Sequence, residues 1–220
     1  MNIKFRLIIL SFLEFFLWGA WLLSFGGYMI VTLHFTGVQV GSVYAGIGLA
    51  SIFMPALLGI VADRWINAER LLGTCHITGA GLLLWASTVT DYGTLYFVML
   101  FNLMMYMPTI ALANSVSYAV LEKNGYDIVK TFPPIRVWGT IGFIAAAWLV
   151  DLLHWTLSAN QLYVSAAAAL ILGVYSFTLP GCPPVKTNEK KSLASSLGLD
   201  AFVLFKRRKM FVFFIFAMFL

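Results

Sequence analysis

The chain reads as an all-α membrane protein with six complete transmembrane spans and the start of a seventh, and three observations predict this. Composition comes first: 61% of residues are hydrophobic, 10% are charged and the mean hydropathy is +0.90, whereas a soluble domain carries roughly 25% charged residues. No soluble core hides that much apolar surface. Second, apolar runs near residues 7–33, 40–62, 71–88, 95–120, 134–153 and 162–179 each approach or exceed the about 20 residues that cross a hydrocarbon layer as a helix. Third, threading these runs alternately through a bilayer puts all 14 Lys and Arg residues on one side. The connections around 34–39, 89–93 and 153–160 carry none. By the positive-inside rule the basic side is cytoplasmic, which makes this a multi-pass inner-membrane protein with a cytoplasmic amino terminus.

The first run follows Lys4 and Arg6 and is too long for a signal peptide, with no small-residue cleavage site behind it, so it is read as a retained span. Spans two and three flank Arg64 and Arg70, four and five flank Lys123 and Lys130, and the fifth opens on Pro133, Pro134 and Arg136. With proline favoured in a helix's first turn, this places Arg136 near the cytoplasmic boundary or somewhat inside. The domain organisation predicted is a six-helix bundle over 1–180, a cytoplasmic linker over 181–209 and an interrupted seventh span over 210–220. The linker is polar and proline-bearing. Within it, 197–205 fits an interfacial helix or the run-in to the seventh span. Cys75 and Cys182 both fall toward the reducing side, so no disulfide is expected. The net charge of +5 belongs to these loops, and no basic stripe with stacking aromatics marks a nucleic-acid partner.

Ionisable side chains inside a span cost roughly 2.5 to 3.5 kcal/mol by insertion scales and mark functional candidates. Glu14 is one, seven residues into the first span. Ser11, Glu14, Trp18, Trp21, Phe25 and Tyr28 recur at helical spacing, which puts an acid and a line of aromatics on one face. That face suits a cavity wall where flat ligands stack; it equally suits a carboxyl bonded to a neighbouring helix among packing aromatics. Asn102, Tyr106, Thr109 and Ser117 share a face of the fourth span, as ligand contacts or as interhelical glue. Arg136, Thr140, Phe143 and Ala147 share a face of the fifth, offering a guanidinium, a hydroxyl and an aromatic plate. The competing reading of Arg136 is an anchor snorkelling to water. His76 in the third span reads as a packing residue. No metal-ligand spacing, phosphate loop, catalytic motif or cofactor site is visible, so no enzyme is predicted.

Between spans two and three, Gly59, Asp63 and Arg64 form a Gly-x-x-x-Asp-Arg turn that resembles the cytoplasmic gate loop of the major facilitator superfamily. The segments 11–21, 54–63, 106–109, 132–143 and 197–202 together resemble the bacterial nucleoside:proton symporter family within that superfamily, and its enterobacterial nucleoside and xanthosine permeases in particular. The resemblance runs the length of the chain and covers the amino-terminal half of such a carrier. It implies one six-helix bundle of a twelve-helix fold around a central cavity, alternating access, and uptake of nucleoside with protons, with a carboxy-terminal half as partner. It also implies that Arg136, Thr140 and Phe143 contact nucleoside, with Asn102 and Tyr106 as further candidates from their shared face. Glu14 is the proton-coupling candidate, at a position where the best-known members carry Gln. The alternatives are a symporter of sugars or other small solutes in the same superfamily, and a membrane fragment that does not transport.

Overall fold

The computed structural model describes residues 2–184 and 210–212, and no strand occurs among them. Helix starts follow side-chain caps. Asn2 accepts from Lys4 N at 3.0 Å ahead of α1 (Ile3–Gly19). After the short α2 (Phe25–Gly27) and a π-helical turn (Tyr28–Thr32), Thr36 and Gln39 form a reciprocal capping box for α3 (Gly37–Arg64), which satisfies two otherwise orphaned N–H groups. α4 (Ala68–Ala86) follows. Asp91 accepts from Thr94 N at 2.8 Å to open α5 (Tyr92–Lys123), and Asp127 caps α6 (Ile128–Leu152). α7 (Asn160–Ser176) closes the first compact unit, which extends to Pro184. The second unit begins at Val185, and its described part is the helical Met210–Val212. The expected linker beyond Pro184 and the expected seventh span beyond Val212 lie outside the described residues.

α3, α5 and α6 are long and apolar enough to cross a membrane. Their outer surfaces carry exposed Ile52, Phe53, Phe97, Phe101 and Trp148, the side chains a lipid-facing helix presents. Contacts between loops gather the described basic residues toward one end. Arg6 donates to Thr178 O, Lys4 lies 4.6 Å from the Tyr126 ring centroid, and Ala68 N donates to Cys182 O at 3.1 Å. The start of α1, the α3–α4 and α5–α6 turns and the end of α7 therefore meet there. At the opposite end Thr32 donates to Leu157 O at 2.6 Å and Phe35 packs edge-on against Tyr92, with no Lys or Arg in the adjoining turns.

Two sequence expectations change. The first span is broken: α1 stops at Gly19 and turn residues precede α2. The Tyr44 hydroxyl on α3 accepts from Gly26 N and donates to Leu22 O, both at 2.9 Å, and Ser24 donates to the buried Gln161 at 2.7 Å. Irregular backbone at membrane depth survives where protein satisfies it in this way. Pro133 and Pro134, expected in the first turn, sit inside α6, because the Asp127 cap starts the helix earlier. Arg136 therefore lies about 12 Å along the axis from Ile128 at ~1.5 Å per residue.

Helices approach at glycine. A Cβ on Gly142 would collide with the Phe12 carbonyl, and one on Gly19 with the Phe143 carbonyl, so the α1 and α6 backbones touch. Gly73 and Gly173 play the same part for α4 and α7, where a Cβ on Gly73 would lie 2.8 Å from Gly173 O. Small residues at crossings are how membrane helices gain packing without a hydrophobic driving force. Gly142→Ala is expected to lower the thermal midpoint of the purified chain, at an overpacking cost of about 1–3 kcal/mol. Gly48→Ala, where a Cβ meets nothing within 4 Å, serves as control; equal midpoints for the two variants refute the crossing.

At the basic end, buried Glu69 accepts from Cys182 N at 2.8 Å and from Asn67 Nδ2 at 3.0 Å, and the start of α4 favours its charge. Burial and then the Glu69 carboxylate push the Cys182 thiol up to about 11. Since the thiolate is the nucleophile, maleimide labelling of Cys182 is expected to be slow at neutral pH and to accelerate as pH rises toward that value. Glu69→Gln is expected to speed it; labelling at the rate of a solvent-exposed cysteine contradicts the environment described.

Candidate functional site

Two polar groupings meet across α1. The first is internal. Glu14, 1% exposed, receives the Thr109 hydroxyl at Oε1 (2.7 Å) and faces His76 Nε2 from Oε2 at 2.9 Å. Its backbone carbonyl accepts from the Tyr106 hydroxyl at 2.8 Å. One step along α5, Asn102 donates to Gly79 O at 3.1 Å. On the α7 side, Ser165 donates to Leu17 O at 2.6 Å. A charge placed in a medium of low dielectric needs partners of this kind, and Glu14 obtains them from α4 and α5 together. A small space of about 10 Å³ borders the cluster, lined by Leu17, His76, Asn102 and Tyr106 among others.

The second grouping lies on the open side. The half-buried Arg136 guanidinium stacks 3.8 Å from the Phe15 ring centroid, a favourable cation–π position. Gly139 makes the room: a Cβ there would lie 2.7 Å from both Arg136 Nη1 and Phe15 Cδ2. Arg136 and exposed Thr140 line an open depression of about 460 Å³ with Phe132, Pro133 and Val137. One turn further, Phe143 and Ala147 line a second of about 520 Å³, beside the α1 break at Ser24 and with Asp151 at its edge. The four residues of the face expected on the fifth span thus border two separate depressions, Arg136 and Thr140 one, Phe143 and Ala147 the other.

Trp18 joins the groupings. Its ring lies 5.6 Å from Tyr106 and 6.2 Å from Phe143, and its Nε1 is the one buried side-chain polar atom without a hydrogen-bond partner among the described residues. An orphan buried donor calls for explanation, an absent ligand or water being one.

Placement of the predicted residues divides cleanly. Arg136, Thr140 and Phe143 come together on the open side. Asn102 and Tyr106 are 3% and 5% exposed and bonded inward, behind Trp18 rather than on the wall. Glu14 is internal and the aromatic face it heads points into the protein. Asp63 and Arg64 are exposed at the end of α3. Gly59 of the same turn stands in open space: a Cβ there would meet nothing within 4 Å among the described residues. Sequence reasoning missed the part played by His76: helical spacing puts it three residues after Gly73, but does not reveal that this face meets Glu14. Phe15 was likewise hidden, although Gly139 three residues after Arg136 is the signal of a side chain folding back over its own helix.

The family model described as "Nucleoside H+ symporter" matches residues 1–220. The xanthosine permease of Escherichia coli K12 is 54% identical over 220 residues, covering 100% of this chain and 53% of that protein. The nucleoside permease NupG of the same organism is 51% identical, with coverage of 100% and 53%. A crystal structure of the nucleoside transporter NupG superposes with a TM-score of 0.88 at 51% identity, covering 100% of this chain and 54% of that one. The chain thus spans about half the length of the curated relatives it matches. Those relatives are permeases, not enzymes, and with the match running from first residue to last, this chain belongs to the nucleoside H+ symporter family.

Proposed function

We propose that the chain supplies the amino-terminal half of a proton-coupled nucleoside importer of the bacterial inner membrane, xanthosine among its candidate substrates, working by alternating access. In this reading the first compact unit comprises six spans with the amino terminus in the cytoplasm. A linker over 181–209 leads to a seventh span starting at 210, the first helix of a carboxy-terminal six-helix half that closes the substrate cavity. The supporting observation is the face Arg136, Thr140, Phe143, set on open depressions of about 460 and 520 Å³. A guanidinium and a hydroxyl suit the carbonyls and hydroxyls of a nucleoside, and Phe143 and Trp18 suit its base plane. Asn102 and Tyr106 hold the wall from behind, and the orphan Trp18 N–H gains an acceptor when ligand or a helix shift brings one.

Glu14 is the proton-coupling acid of this half, and Gly59, Asp63 and Arg64 form the gate turn at the basic end. A proton entering on a membrane potential gains about 2.3 kcal/mol per 100 mV, which suffices to draw an uncharged nucleoside inward against its gradient.

The test is uptake by a full-length carrier containing this half. Arg136→Ala removes a charged hydrogen-bond donor, and uptake at low nucleoside concentration is expected to fall about tenfold or more with membrane insertion intact. Native rate and half-saturation in that variant refute substrate contact. Competition by unlabelled sugars but not nucleosides assigns the carrier to the sugar-transport alternative.

A further inference from the structure

Resting on the symport reading above, we propose that Glu14, His76 and Thr109 are one proton-exchanging unit, in which His76 and Thr109 keep the Glu14 carboxyl hydrogen-bonded both with and without its proton. All three side chains are buried, at 1%, 2% and 0% exposure, and they come from α1, α4 and α5.

The pairing fixes the charges the site passes through. A lone carboxyl cycles between minus one and zero, and its ionised form is an unpaired buried charge. A carboxyl and an imidazole 2.9 Å apart that share one acidic proton are neutral as a pair, whichever atom holds it. A second proton takes the pair to plus one. In that loading step an O–H bond forms at Glu14 Oε1 while His76 keeps both N–H bonds; unloading reverses it, and no other bond changes. The coupled protons of an interacting pair belong to the pair.

Thr109 lets the step occur without orphaning a polar atom. Its hydroxyl carries one hydrogen and has two acceptors in reach, Glu14 Oε1 at 2.7 Å and Tyr106 O at 2.5 Å. With Glu14 ionised, Thr109 donates to Oε1. With Oε1 protonated, the new O–H donates to Thr109 Oγ1 and the Thr109 hydrogen turns to Tyr106 O. A hydroxyl that both donates and accepts is the side-chain group able to do this.

The groups facing the unit are few. α4 presents Cys75 beside His76 and α5 presents Tyr106, whose hydroxyl bonds the Glu14 carbonyl; Arg136 of α6 lies across α1, stacked on Phe15. α7 contributes the non-ionisable Ser165. The adjoining space of about 10 Å³ is at the threshold of the volume one water needs.

The test compares native, His76→Gln, Thr109→Val and Glu14→Gln forms of the full-length carrier in liposomes, measuring proton-gradient-driven accumulation and gradient-free exchange of labelled nucleoside across a pH series. Each of the first two substitutions removes a partner that favours the ionised carboxylate. The midpoint of the pH profile is expected to move upward by about one unit in each, a tenfold change in proton affinity, and the ratio of driven to gradient-free transport to fall. Glu14→Gln is expected to flatten the profile. Native midpoints and ratios in both His76→Gln and Thr109→Val overturn the unit while leaving symport standing; a native carrier that ignores the gradient overturns the symport reading and the unit with it. Should a variant lose exchange altogether, acid-minus-neutral infrared difference spectra of the purified native chain decide. A protonated-carboxyl band that is absent in Glu14→Gln supports the unit, and spectra identical in the two overturn it.

Discussion

One buried carboxyl constrains how α1, α4 and α5 are arranged. In hydrocarbon there is no water to take up a stray charge, so placing Glu14 at 1% exposure obliges other helices to bring partners to it. His76 and Thr109 do so from α4 and α5, and Tyr106 secures the same turn of α1 through its backbone. Each of those side chains must arrive at a fixed height along its own helix, which sets the axial register of α4 and α5 against α1. Apolar packing alone tolerates sliding; a hydrogen bond of 2.7 Å does not.

The close crossings complete that arrangement. α1 meets α6 backbone to backbone at Gly19 and Gly142, and α4 meets α7 the same way at Gly73 and Gly173. The contacts differ in kind from the polar cluster: they bring axes together and give rigidity through many small dispersion terms, while the cluster decides rotation and height. Between them α1 is held on both flanks. Its break beyond Gly19 can then be pinned by one phenol, Tyr44, and one amide, Gln161, without loosening the 17 residues of the helix before it.

Much of this was legible in the sequence because hydrocarbon imposes simple rules. Apolar runs of spanning length and charges confined to alternate loops place the elements. The face Arg136, Thr140, Phe143 follows from helical spacing alone, and the structure puts it on open cavities. What the sequence hides is which faces meet. Glu14 reads equally as a cavity acid or a packing acid until His76 is seen 2.9 Å away, since nothing in a one-dimensional pattern relates residue 14 to residue 76. The Tyr44 hydroxyl that rescues the broken first span is hidden for the same reason. The error at the start of α6, expected at Pro134 and found at Ile128, has another cause: two prolines outweighed the Asp127 cap, although proline is tolerated inside a membrane helix when its freed carbonyls are satisfied.

The physical link between the interior cluster and the open wall is α1 itself. Glu14 points into the cluster, and its neighbour Phe15 carries Arg136 on its ring face. Tyr106 bonds the Glu14 carbonyl, while Trp18 touches Tyr106 on one side and Phe143 on the other. A change of one unit charge at Glu14 in a medium of low dielectric acts first on His76, Thr109 and Tyr106, and Trp18 joins Tyr106 to the wall. Coupling of a proton to a ligand requires that each alter the other's binding by the same factor. In the symport reading proposed above, that reciprocity needs no long pathway: one turn of α1 carries Glu14 on its inner side and Phe15, which supports Arg136, on its outer side.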